Sequence, residues 1–179
     1  MGMDVEYFFE KLKEKVKEVW GKDIYDDIIH DGLTHSVWTS LIDTAIYLLV
    51  DEYNEKNNFY NEHKEEKVCI VPENQLLLIS GEKRYSDFLL VSNRGRKRCI
   101  EIEHENKPKK RVYKSVENLS RSEADYKVII TYSSNKIPKQ LIEKQIKKAK
   151  GKLSVKITIY LMIAPAIGKK CFQYELIPI

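Results

Sequence analysis

Three glutamates alternate with other residues in the segment Cys99–Glu105, and an aspartate, Asp87, lies in the apolar run that precedes it. If the segment is a β-strand, Glu101, Glu103 and Glu105 share one face, because strand side chains alternate with period two. Carboxylates among isoleucines are costly to bury unless a cation or a set of donors compensates their charge. A divalent metal ion is a candidate for that compensation, and metal with carboxylates suits phosphodiester chemistry.

The two segments that carry these acids predict a β-hairpin, in which a short basic turn joins strand 85–92 to strand 97–105. In an antiparallel pair, opposite residues share a face and their Cβ atoms lie about 5 Å apart. Depending on the loop length, Asp87 lies opposite position 101, 102 or 103, and a three-residue loop pairs it with Glu101 or Glu103. Two carboxylates could then chelate one ion, and such hard oxygen ligands favour Mg²⁺ or Mn²⁺.

Basic residues surround the acidic strand. The chain has a net charge of +4, but residues 93–114 hold nine Lys or Arg and three acids, so this segment is +6 and the remainder −2. Positive charge around a carboxylate site is typical of a phosphate-binding surface, although a solvated turn and a charged helix start give the same count. The candidate nucleic-acid-binding residues are Arg94, Arg96, Lys97, Arg98, Lys107, Lys109, Lys110, Arg111 and Lys114.

The elements that must position these residues follow from the periodicity of apolar side chains. The spacing predicts helices over 4–20, 36–54, 110–122 and 137–150, with a brief acidic helix within 23–31 and a loop over 54–67. Apolar or alternating runs predict strands over 68–71, 76–80, 85–92, 97–105, 127–132, 154–164 and 172–177.

An early meander followed by β–α–β crossovers predicts an α/β fold whose mixed sheet has helices on both faces. We expect one domain over residues 1–179, in which a helical extension (1–31) precedes a core (36–132), and residues 137–179 complete the sheet.

The three cysteines are widely spaced and form no CxxC pair, which favours a reducing compartment over a disulfide framework. No segment approaches about 20 uninterrupted apolar residues, and the N-terminus is amphipathic rather than signal-like. The sequence therefore predicts a cytoplasmic protein without a membrane partner.

The order helix, three-stranded meander, helix and strand, with Asp87 on the second strand and Glu101-Ile102-Glu103 on the third, resembles the PD-(D/E)XK nuclease superfamily. This superfamily includes restriction endonucleases and archaeal Holliday junction resolvases, and the resemblance covers about residues 36–132. It implies a restriction-endonuclease-like αβββαβ core, Mg²⁺ or Mn²⁺ as cofactor, DNA (including branched DNA) as substrate, and a homodimer. It also implies that Asp87 and Glu101 bind the metal, while Glu103 orients or deprotonates the attacking water.

Two positions depart from the family pattern: Ser86 replaces its proline, and Glu103 stands where a lysine is expected. Lys97 or Lys107 could supply the displaced positive charge. Many relatives add a glutamate from the first helix to the metal site. Glu52 is our candidate for that ligand, and Asp43 is the alternative.

Other interpretations of the same residues stay open. The first alternative is a catalytically inactive module of the same fold that binds nucleic acid or a protein partner, with the acids paired to nearby arginines. A second is a small-molecule enzyme that uses a metal cluster around His30, Asp31, His35 and Asp43. His104 has the opposite strand parity to the acids, so we expect it to be a packed histidine or one at the rim of the site rather than a general base.

Overall fold

The computed structural model describes residues 3–20, 35–77, 83–105, 108–131, 139–150, 159–163 and 173–174. Its helices are α1 (Val5–Trp20), α2 (His35–Lys56), α3 (Pro108–Leu119) and α4 (Lys139–Lys150). Its strands are β1 (Val68–Leu77), β2 (Lys83–Ser92), β3 (Lys97–Glu105), β4 (Tyr126–Thr131), β5 (Ile159–Ile163) and β6 (Gln173–Tyr174).

The strands form one sheet in the order β1-β2-β3-β4-β5-β6. The turn between β2 and β3 is too short for a parallel pair, whereas β3–β4 and β4–β5 are parallel and β5–β6 is antiparallel. The sheet is therefore mixed, which confirms the α/β class. Helices α3 and α4 are the two crossovers and they pack against each other, as right-handed connections on one face of the sheet require. The expectation of helices on both faces stays a prediction.

The chain divides into two compact units. Unit 1 comprises residues 1–70 and 90–99, and unit 2 comprises residues 71–89 and 100–179. In unit 1, Phe8 and Leu12 of α1 and Ile46 of α2 are fully buried; in unit 2, Ile102 of β3 and Ile129 of β4 are fully buried. The predicted single domain, with its boundaries at residues 31, 36, 132 and 137, stays a prediction.

Most predicted elements are confirmed, and β3 has the predicted bounds. The separate strands predicted over 68–71 and 76–80 were wrong, because β1 continues through Pro72 as one strand. Proline is tolerated there because β1 lies at the edge of the sheet, and the positive φ of Glu73 (47°) accommodates the irregularity. The loop predicted from residue 54 also began too early, since α2 extends to Lys56.

Several expectations lie outside the described residues. They include the brief helix within 23–31, the first two residues of the helix predicted over 137–150, and most of the last two strands. Among the described helices, none combines the length and the apolar character needed to cross a membrane.

Candidate active site

The glutamates of β3 form a buried row in unit 2. The exposed fractions are 0% for Glu101 and 6% each for Glu103 and Glu105. Period-two alternation puts all three on one face, and donors from α3 and from the segment after it reach that face. The carboxylates therefore face the helical layer of the unit, where each requires compensation for its lost hydration.

The carboxylate of Glu101 is held by two serine hydroxyls. Ser86 Oγ on β2 donates to Glu101 Oε1 over 2.5 Å, and Ser122 Oγ, after α3, donates to Oε2. The backbone N–H of Ala124 donates to Ser122 Oγ (3.0 Å), which fixes that hydroxyl in turn. Lys127 is the register partner of Glu101 on β4, so its stem begins on the same face of the sheet. Donors and a nearby cation thus account for the burial of Glu101.

Lys127 is half-buried beside Glu101. Its ammonium donates to the backbone oxygen of Ala124 over 3.2 Å. Burial lowers the pKa of Lys127, and the negative charges of Glu101 and Asp125 oppose that shift. The structure therefore supplies a lysine next to the acidic row from the neighbouring strand rather than from β3 itself.

Asp87 meets β3 further along the strand than Glu101. Its Oδ2 accepts a hydrogen bond of 2.5 Å from the backbone N–H of His104, the residue between Glu103 and Glu105. Although the residue as a whole keeps solvent contact, its carboxyl group is crowded by protein atoms, and this desolvation raises its pKa. The His104 hydrogen bond opposes the shift and the charge of Glu73 adds to it.

The pKa of Glu103 is strongly perturbed. Burial raises the pKa of Glu103 to about 8, and the negative charges of Asp87 and Glu105 act in the same direction. Hydrogen bonds from Asn118 and Ser115 on α3 act against the shift, and Asn118 Nδ2 donates to Glu103 Oε1 over 3.0 Å. At neutral pH the protonated form is therefore favoured, as expected of a buried carboxyl group beside like charges.

His104 is a packed histidine. Its ring meets the ring of Phe88 edge to face, with 5.8 Å between the centroids. Burial lowers the pKa of His104 to about 4, so the imidazole is neutral at physiological pH. This environment agrees with the packed role expected from strand parity.

Glu52 lies in unit 1, where it forms ion pairs with Lys15 on α1 (2.5 Å) and with Lys56 one turn further along α2. These partners lower the pKa of Glu52 to about 2, with the Lys15 hydrogen bond as the largest cause. To bind a metal, Glu52 would have to leave both lysines, and its role as a ligand stays a prediction. Asp43 is half-buried on the same helix, and His30 and Asp31 lie outside the described residues.

The predicted nucleic-acid-binding residues of the hairpin lie on a turn of unit 1 with left-handed backbone at Gly95 (φ 62°) and Arg96 (φ 54°). Arg96 and Lys97 are exposed and Arg98 is half-buried. Arg94 is also exposed, but its guanidinium donates to Glu66 over 2.5 Å. Arg94 therefore anchors the turn as well as carrying charge.

The remaining predicted cations belong to unit 2. Lys109 and Lys110 fall in the first turn of α3, Arg111 and Lys114 are exposed on the same helix, and Lys107 lies outside the described residues.

Within the residues that the structure describes, no three or more His, Cys, Asp or Glu side chains cluster closely enough to form a metal cage. Mg²⁺ does not need such a cage, since it is often held by one or two carboxylates together with waters and substrate phosphates. The residue Asp87 keeps solvent contact and lies near Glu103, whose pKa is raised partly by the like charge of Asp87, and this pair of acids fits that type of site. Glu101 would join it only by giving up the hydroxyls of Ser86 and Ser122.

Sequence reasoning missed the residues that contact the acids or lie opposite them from elsewhere in the fold: Ser86, Ser115, Asn118, Ser122 and Lys127. Lys127 was predicted only as the first residue of the strand over 127–132. Its position opposite Glu101 depends on the register of β3 and β4, and no local pattern encodes that register.

Comparison of the chain with models of protein families, with curated proteins and with solved structures gives no match. The function of the site is therefore inferred from its own residues and their environment.

Proposed function

We propose that this chain is a metal-dependent nuclease of the PD-(D/E)XK type that hydrolyses DNA phosphodiester bonds. The observation that carries the proposal is the contact between the Asp87 carboxylate and the backbone of His104, between two buried glutamates of one strand. Asp87 on β2 then lies beside the Glu-x-Glu sequence Glu103-His104-Glu105. The sequence analysis had expected it beside Glu101-Ile102-Glu103, which begins two residues earlier. In this proposal Mg²⁺ or Mn²⁺ is the cofactor, and the active form is a homodimer.

Asp87 and Glu103 are the proposed metal-binding residues. A bound ion of this type neutralises charge on the scissile phosphate and makes its own water more acidic. Glu103 would lose its proton when a cation arrives, because the cation offsets the burial and like charge that raise its pKa. Glu105 occupies the family's lysine position in this shifted alignment. Glu101 would have a structural role, in which its carboxylate links Ser86 on β2 to Ser122 after α3. Lys127 would supply the opposite charge.

An inactive module that binds nucleic acid or a protein partner is the second candidate. One observation favours it: both carboxylate oxygens of Glu101 accept hydroxyl hydrogen bonds, so this acid is satisfied without a metal. In this case the row would only fix α3 on the sheet.

A cleavage assay separates the two candidates. Plasmid, single-stranded and four-way-junction DNA are each incubated with the full chain and Mg²⁺ or Mn²⁺, with EDTA as the blank. The nuclease proposal expects metal-dependent cleavage that Asp87→Asn and Glu103→Gln each reduce by about 100-fold or more, while Glu62→Gln, an exposed acid in unit 1, leaves it unchanged. Circular dichroism verifies that each variant is folded. Absence of cleavage by the wild-type chain on all three substrates favours the inactive module.

A further inference from the structure

Helices α3 and α4 concentrate positive charge in unit 2. The segment Pro108–Leu119 contains four Lys or Arg and one acid, and Lys139–Lys150 contains five lysines and one acid. The two helices therefore carry +7 together, whereas the whole chain carries +4. Because they pack against each other, this charge is gathered in one helical layer.

Helix α1 shows what a solvated Lys- and Glu-rich helix looks like in the same protein. It contains four lysines and four glutamates and is electrically neutral. Three of those lysines form ion pairs along the helix, Lys11 with Glu14, Lys13 with Glu10, and Lys15 with Glu18. The charge of α3 and α4 is therefore not explained by a general surplus of lysine in this chain.

Both helices expose cations, and one contact links a lysine of α4 to α3. Lys144, Lys147 and Lys148 are exposed on α4, and their spacing puts them on adjacent positions of one helical face. Lys148 Nζ lies 4.8 Å from the ring centroid of Tyr113 on α3, which joins this face to α3. No ion pair to Lys144 or Lys147 occurs within the described part of the chain. On the α3 side, the exposed cations among the side chains that the structure describes are Arg111, Lys114 and, just after the helix, Arg121.

We propose that the outer surface of α3 and α4, here called the α3–α4 surface, binds the phosphate backbone of nucleic acid through Lys144, Lys147 and Lys148 together with Arg111 and Lys114. Closely spaced, exposed cations of this kind neutralise successive phosphates and release their counterions. The surface belongs to unit 2, which also carries the glutamate row. The inference rests on the proposed function only in its choice of nucleic acid as the polyanion.

An anionic membrane is the other polyanion to consider, and the environment of α3 argues against it. Helices that lie on membranes insert an apolar face between the lipids. The apolar residues Val112, Val116 and Leu119 of α3 are instead buried within the protein. The described residues of α4 expose one large apolar side chain, Leu141.

The test measures binding without cleavage. A fluorescent duplex is titrated with the full chain in EDTA by anisotropy at a series of salt concentrations. We compare Lys144→Gln/Lys147→Gln with Lys11→Gln/Lys13→Gln, which removes the same charge from α1. The α4 pair should weaken binding several-fold and make the slope of log K against log salt shallower by roughly 0.9 for each lost phosphate contact. The α1 pair should change neither.

Equal effects of the two pairs, or no effect of the α4 pair, would overturn the proposal. Tighter binding to phosphatidylserine vesicles than to the duplex would overturn it in favour of a membrane. These outcomes can be distinguished from a failure of the nuclease proposal. If the α4 variant binds the duplex more weakly but the wild-type chain never cleaves DNA, the binding surface is supported and the nuclease proposal is not. If the wild-type chain cleaves DNA and the α4 variant binds as tightly as the wild type, the nuclease proposal is supported and the binding surface is not.

Discussion

The Asp87 carboxylate on β2 accepts a 2.5 Å hydrogen bond from the backbone N–H of His104 on β3. The contact brings Asp87 beside the Glu103–Glu105 part of the row, while Glu101 is bound by Ser86 and Ser122. Neighbouring acids of the same strand therefore differ in environment. Each carboxylate oxygen of Glu101 accepts a hydroxyl hydrogen bond, whereas burial raises the pKa of Glu103 to about 8.

Metal should act first on the protonation of Glu103. Added Mg²⁺ is expected to lower the pKa of Glu103 from about 8, because a cation favours the charged carboxylate. Carboxyl ¹³C chemical shifts followed against pH, with and without Mg²⁺, measure the effect. In Asp87→Asn the metal-dependent part of the shift should disappear. An unchanged titration of the wild-type chain at saturating Mg²⁺ would contradict the proposed ligand pair.

The metal-free protein should lose stability as the pH rises above 6.5. The folded-state pKa of Glu103 is about 8 against an ordinary value of 4.5, so the folded state binds more protons between these values and stability falls as pH rises through them. His104 has the opposite sign: its pKa is lowered from 6.5 to about 4, so stability rises with pH over that interval. The two effects oppose each other between pH 4.5 and 6.5, and of the two only the Glu103 effect continues from pH 6.5 to 8.

Denaturant unfolding in EDTA at several pH values measures this dependence. The Glu103→Gln side chain keeps an oxygen that can accept the Asn118 hydrogen bond, but it cannot ionise. The unfolding free energy of this variant should therefore hardly change from pH 6.5 to 8. A wild-type chain with the same flat profile would show that Glu103 is already ionised in the folded state.

Removing either hydroxyl from Glu101 should destabilise the protein. Ser86→Ala and Ser122→Ala each remove one hydroxyl hydrogen bond from a fully buried carboxylate, at a cost of about 1–3 kcal/mol. Ser120→Ala, at a half-buried serine that donates to the Glu117 backbone oxygen, is a milder control. In a Glu101→Gln background the serine substitutions should cost less, because an uncharged amide is cheaper to leave unsatisfied. If the losses of stability from Glu101→Gln and from each serine substitution simply add in the double variants, the hydroxyls do not stabilise Glu101.

Glu52→Gln tests the predicted first-helix ligand. If the ion pairs with Lys15 and Lys56 are its whole role, the variant should cleave DNA at the wild-type rate and lose up to about 1 kcal/mol of stability at neutral pH. Because the pKa of Glu52 is lowered to about 2 from 4.5, this stability is present above pH 4.5 and is lost as pH falls toward 2. Loss of cleavage in a stable Glu52→Gln variant would support the metal role instead.

The local structure could be predicted from the sequence wherever periodicity was strong. The alternation of Cys99–Glu105 predicted β3, and helical spacing predicted α1 and α3. The failure at β1 has a tertiary cause. A proline interrupts a strand at most positions of a sheet. Strand β1 continues through Pro72 because β1 is an edge strand.

The sequence by itself determined that three glutamates share one face of β3, because the period of a strand is a property of the backbone. The tertiary structure decided what each carboxylate meets. Ser122 is 21 residues from Glu101 along the chain and Asn118 is 15 residues from Glu103, and both reach the row only because α3 folds back over the sheet. Lys127 lies opposite Glu101 only through the β3–β4 register. Burial and donors set the charge of a carboxylate, and both depend on residues distant in sequence.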